Sequence, residues 1–67
     1  MMFANLDAEQ KRKGMTNADV AEYLGISRMT YETKEKNGKF TRPQIVQLLK
    51  LFGGNFEYLF DYKSNTA

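Results

Sequence analysis

The feature that most constrains this chain is a spacing: Ala21, Gly25 and Ser27 set among the apolar residues Val20, Leu24, Ile26 and Tyr31. Two helices meeting at a sharp bend need a small residue where their backbones approach, and Ala21 stands at that place. The bend needs a residue that tolerates positive φ, which Gly25 supplies. Ser27 is an N-cap for the second helix. Val20, Leu24, Ile26 and Tyr31 pin the two helices together. Residues 17–36 therefore read as a 20-residue helix-turn-helix, with the small residue fifth, the glycine ninth, and apolar residues fourth, eighth, tenth and fifteenth. The eighteenth position, which the pattern wants apolar, is Lys34.

The rest of the chain is punctuated in the same way. A first helix spans about Phe3 to Lys13, with Gly14 after it and a thin apolar side of Phe3 and Leu6 that meets Gln10 at the next position. Lys11-Arg12-Lys13 is a solvated last turn whose charge suits the helix dipole. Thr16 caps the second helix, with Asp19 at capping-box distance. The third runs from about Arg28 to Lys36 and is polar except for Tyr31, so it is held by its neighbours or presents its polar face to a partner. Asn37-Gly38 stops it, and Phe40 lies in the loop that follows. Thr41 caps a fourth helix with Pro43 in its first turn and the stripe Ile45, Leu48, Leu49 and Phe52. After Gly53-Gly54, Asn55 caps a short fifth helix, Phe56 to Phe60. Its Phe56, Leu59 and Phe60 turn inward, and Phe52, Phe56 and Phe60 form a core cluster. Tyr31 is core with its hydroxyl at the rim. Tyr58 and Tyr62 serve an interface or pack near the chain end. The expected class is all-α, one domain over residues 1–60, with a flexible tail over 61–67.

Composition removes whole classes of chemistry. With no Cys and no His, the chain cannot build a disulfide, a thiolate metal site or a Ser-His-Asp triad, so neither enzyme, metal site nor cofactor is expected. No apolar run is long enough to span a membrane, and the first residues lack a signal-peptide core, which points to the cytoplasm. A core in 67 residues supplies only about 3–5 kcal/mol, which favours local, helical structure.

The string Lys13 to Glu32, K-G-M-T-N-A-D-V-A-E-Y-L-G-I-S-R-M-T-Y-E, with N-G-K at Asn37 to Lys39 and L-F-G-G-N-F-E-Y-L-F at the end, resembles the Cro/CI-type (XRE family) phage regulators. The resemblance covers about Leu6 to Phe60. It implies a five-helix lambda-repressor-like domain and a regulator of the lysis–lysogeny switch in a bacterial host cell. Its partner is double-stranded operator DNA, bound by a weak homodimer on half-sites about one helical turn apart.

The resemblance also implies roles. The third helix reads the major groove with Ser27, Arg28, Met29, Thr30 and Thr33. Arg28 suits guanine N7/O6, and Met29 or the Thr30 methyl suits a thymine methyl. Thr16 and Asn17, at the start of the second helix, and Asn37, Lys39 and Arg42, with Gly38 and Thr41 between them, hold phosphates. From residue 28 to residue 42 there are five basic and two acidic side chains, while the remainder carries five basic and six acidic. The positive excess thus lies where a phosphate backbone would pass.

Two departures stand out. Where the family pairs an Arg of the first helix with a Glu of the third, Gln10 faces Glu35, and a neutral hydrogen bond replaces the ion pair. Lys36 also reads as a one-residue insertion, which shifts the register of Lys34 and Glu35. The mixed charge of Arg28, Glu32, Lys34 and Glu35 opens an alternative: an antirepressor that forms a heterodimer with the cognate phage repressor and masks its reading helix.

Overall fold

The computed structural model describes residues 3–61 and is all-helical there. Five helices follow in order: α1 (Ala4–Arg12), α2 (Asn17–Leu24), α3 (Arg28–Asn37), α4 (Arg42–Phe52) and α5 (Phe56–Leu59). No helix among the described residues is long and apolar enough to cross a membrane. Tyr62 and the other tail residues from 62 on lie outside the described residues.

The caps explain the boundaries. Thr16 accepts from Asp19 N while Asp19 Oδ2 accepts from Thr16 N, closing a reciprocal box at the start of α2. Thr41 and Gln44 do the same for α4, with Pro43 in its first turn. α2 ends at Gly25, which takes the left-handed conformation with φ 76°. Gly25 N–H donates to Glu22 O and Ile26 N–H donates to Ala21 O, at 3.1 and 3.0 Å. That paired closure turns the chain and drops Ile26 back against the core. Ser27 then accepts from Thr30 N and starts α3.

The core is built from all five helices and the loop before α4. Leu6, Val20, Tyr31, Leu48 and Leu59 are fully enclosed, with Ala21, Leu24, Phe52 and Phe60 beside them. The thin side of α1 is more useful than its residues suggest, because Phe3, Leu6 and Gln10 are all buried. Phe40 is an unexpected wedge: its ring stands 6.3 Å from Phe3, 5.9 Å from Tyr31 and 6.0 Å from Phe60, joining chain start, α3 and chain end. Phe56 departs from expectation in the other direction. It is about half exposed and lies stacked on Phe60, because α5 is a single turn and can turn only Leu59 and Phe60 inward. Tyr58 is tied to α1: its hydroxyl donates to Glu9 Oε2, and Asn5 Nδ2 donates to its carbonyl.

α3 carries the largest correction to the sequence pattern. Its buried face is Tyr31 and Glu35, four residues apart, and Lys34 is the half-exposed neighbour. An i, i+4 pair lies on one helical face, so Glu35 takes the position the motif assigns to an apolar residue at 34.

Candidate nucleic-acid interface

α2 and α3 are packed against each other, and α3 shows solvent the side opposite Tyr31 and Glu35. Ser27, Arg28, Met29, Thr30 and Thr33 are all exposed. Met29 is 72% exposed, an apolar side chain left in water at the start of a helix. Ser27 Oγ donates to Thr30 Oγ1 at 2.8 Å, so the Thr30 hydroxyl keeps its own proton for an outside acceptor. A groove of about 350 Å³ runs along this face, lined by Met29, Thr30, Thr33, Lys34, Asn37 and Lys39. It brings residues of the expected base-reading set together with two of the expected phosphate-holding set.

The turn after α3 is fixed from within. Asn37 Oδ1 accepts from Lys39 N at 2.9 Å, and Lys34 Nζ donates to Lys39 O at 3.1 Å. The Lys39 ammonium extends outward from that turn, and neither Lys39 nor Arg42 joins an ion pair among the described residues. Thr16 and Arg42 are exposed but do not line the groove.

On the other flank, a continuous chain of hydrogen bonds runs from the core to the surface. Tyr31 Oη lies 2.8 Å from Gln10 Oε1. Gln10 Nε2 donates to Asn17 Oδ1 at 2.8 Å, and Asn17 Nδ2 donates to Glu32 Oε2 at 3.1 Å. The same Glu32 oxygen accepts from Arg28 Nη1 at 3.2 Å. Asn17 is therefore half-buried with both ends of its amide engaged, and its side chain is not free for phosphate as the resemblance implied. In the sequence Gln10 stands out as a polar residue on an apolar stripe. The sequence does not show that this amide links three helices; its one trace there is a pair of helical core positions, 10 and 35, both occupied by polar residues.

Glu35 departs furthest from expectation. It is 4% exposed and so is not part of a face offered to a partner protein. The expected direct bond from Gln10 to Glu35 is replaced by Tyr31, whose hydroxyl sits between them, 3.3 Å from Glu35 Oε2. That hydroxyl is buried, not at the rim. Burial raises the Glu35 pKa, the Tyr31 bond opposes the rise, and the nearby Asp7 and Glu32 carboxylates add to it. Burial, followed by the charge of Glu35, pushes the Tyr31 hydroxyl strongly upward. No buried side-chain polar atom among the described residues is left without a hydrogen-bond partner.

Compared with protein-family models, with curated proteins and with solved structures, the chain matches none.

Proposed function

We propose that this chain is a DNA-binding regulator of the helix-turn-helix class, lambda-repressor-like in fold and similar to phage Cro and CI proteins. It would bind operator DNA with α3 in the major groove and act in the cytoplasm of a bacterial host. The observation that carries this reading is the outward face of α3. Arg28, Met29, Thr30 and Thr33 stand exposed, with Lys39 on the same groove and Arg42 three residues on, both exposed and without an ion pair among the described residues. A guanidinium, hydroxyls and an apolar tip in the first turns of a helix suit the donor, acceptor and methyl pattern of base edges. The flanking cations suit phosphates.

The alternative, an antirepressor that caps a phage repressor's reading helix, draws on the same face but has less support. Glu35 is removed from that face by burial, and Glu32 already accepts from Asn17 and Arg28 on its Oε2. The test begins with duplexes recovered by the purified chain from a randomised pool, followed by polarisation titrations at several salt concentrations. The expected result is preferential binding of the recovered duplex over scrambled DNA, with affinity falling steeply as salt rises. Equal binding to both rejects DNA reading. A heterodimer with a phage repressor on a sizing column, with no preferred duplex, favours the alternative.

A further inference from the structure

We propose that Gln10, buried on α1 and unable to touch DNA, is a positioning residue for Arg28, acting through Asn17 and Glu32 to aim the guanidinium at a guanine edge. This rests on the DNA-reading function proposed above and adds to it a determinant of specificity outside the reading helix.

Gln10 is 4% exposed, so both ends of its amide need partners within the protein. Tyr31 Oη–H occupies the oxygen and Asn17 Oδ1 occupies the nitrogen, each at 2.8 Å. The orientation of Gln10 therefore dictates that of Asn17. With its oxygen turned toward Gln10, Asn17 must present Nδ2 to Glu32 Oε2. If the Gln10 amide were reversed, Asn17 would turn its carbonyl toward the Glu32 carboxylate, and the two oxygens would repel.

The outer end shows what the chain accomplishes. Glu32 and Arg28 are a surface pair, with side chains 37% and 63% exposed, and such a pair holds its partners loosely. Asn17 on the same oxygen removes that looseness by fixing the Glu32 rotamer. Arg28 then spends Nη1 on Glu32 and keeps Nη2 and Nε for an outside ligand. A guanine offers two acceptors, O6 and N7, to such a guanidinium. An arm ordered before contact loses less freedom on binding, and loses it only for the base that matches its aim.

The experiment uses the duplex that the wild-type chain recovers from a randomised pool, and a set of duplexes in which each G·C pair is replaced in turn by A·T. Affinity ratios are measured for wild type, Arg28→Ala, Gln10→Leu and Asn17→Ala, with thermal melting of each chain. The expected result is that Arg28→Ala flattens discrimination at one base pair by about tenfold or more. Gln10→Leu and Asn17→Ala lower discrimination at that same pair and leave the others as in wild type. Should Gln10→Leu fail to melt cooperatively, Asn17→Ala decides alone, since it cuts the chain at a half-buried surface position. Undiminished discrimination at the Arg28 pair in the folded variants overturns the proposal. So does a uniform loss at every pair, which marks a merely structural role, or an Arg28→Ala chain that discriminates as wild type does. A wild-type chain that recovers no preferred duplex overturns the DNA-reading function itself, which separates that failure from failure of the positioning role alone.

Discussion

Tyr31 on α3 and Gln10 on α1 are joined in the core by a hydrogen bond of 2.8 Å. The phenol has a single proton, and Glu35 Oε2 is a second acceptor 3.3 Å away. The contact to the amide is the shorter of the two, so Gln10 is the principal acceptor and Glu35 the secondary one. Tyr31 Oη–H therefore faces two acceptors on different helices, Gln10 of α1 and Glu35 of its own α3. Burial raises the Glu35 pKa, and the Tyr31 bond works against that rise.

Removing the phenol oxygen tests how much this link stabilises the fold. Tyr31→Phe keeps the ring among Phe40 and the fully buried aliphatic residues and deletes only the hydroxyl. It leaves Gln10 Oε1 enclosed without a donor, which costs about 1–3 kcal/mol. Urea denaturation should show a lower midpoint with an unchanged slope. A midpoint equal to that of wild type would mean that the hydroxyl bond is replaced without loss.

Glu35 gives the chain a pH dependence of predictable sign. Its pKa is higher in the folded chain than in the unfolded one, so between the two values the folded chain binds more protons. Its contribution is most favourable below the ordinary glutamate pKa of about 4.3 and declines as pH rises toward the folded value. Gln is an uncharged near-isostere whose Oε1 can still accept from Tyr31 Oη. Glu35→Gln should therefore match wild type in acid and become the more stable chain toward neutral pH, with a difference that levels off once Glu35 is ionised. Melting both chains across that range checks it, and a difference independent of pH contradicts it.

The sequence makes the helices legible because each boundary is local chemistry: Thr16 with Asp19, Ser27, Thr41 with Gln44, and Gly25 act within a few residues of themselves. It also marks Ala21 and its apolar neighbours, since burial of a helix face follows a fixed period. It does not reveal Glu35 as core or Phe40 as a wedge. A carboxyl is buried only where the fold encloses and satisfies it, here through Tyr31 one turn earlier, whose hydroxyl also reaches Gln10 on α1. A loop phenylalanine is half-buried only where Phe3 and Phe60 come together from opposite ends of the chain. The same reason hides the role of Asn17. At the start of α2 it reads as a free amide, until α1 and α3 place Gln10 and Glu32 on either side of it.

Gly25 tests the bend between α2 and α3 without disturbing packing. Its φ of 76° is left-handed, and a Cβ added there meets nothing within 4 Å. The only penalty on substitution is backbone strain, about 1–2 kcal/mol for an ordinary side chain. Gly25→Ala should lose that much stability, and Gly25→Asn should lose less, because Asn tolerates this conformation. An equal loss in both would point to some cause other than the dihedral. Retention of the wild-type melting point in Gly25→Ala would show that the bend can be closed another way.

Lys39 and Arg42 separate phosphate contact from base reading. Both are exposed cations without an ion pair among the described residues, whereas Lys11 is held 3.2 Å from Asp7. A cation that neutralises a phosphate releases a counterion, so its loss lowers the salt slope of binding by about one and weakens all duplexes alike. Lys39→Ala and Arg42→Ala should each do this while leaving the preference among duplexes intact. Lys11→Ala, on the far helix and already paired, should leave the slope at its wild-type value. The measurement is the logarithm of affinity against the logarithm of salt concentration on the recovered and scrambled duplexes. A changed preference would place Lys39 or Arg42 at a base edge; an unchanged slope would remove that residue from the interface.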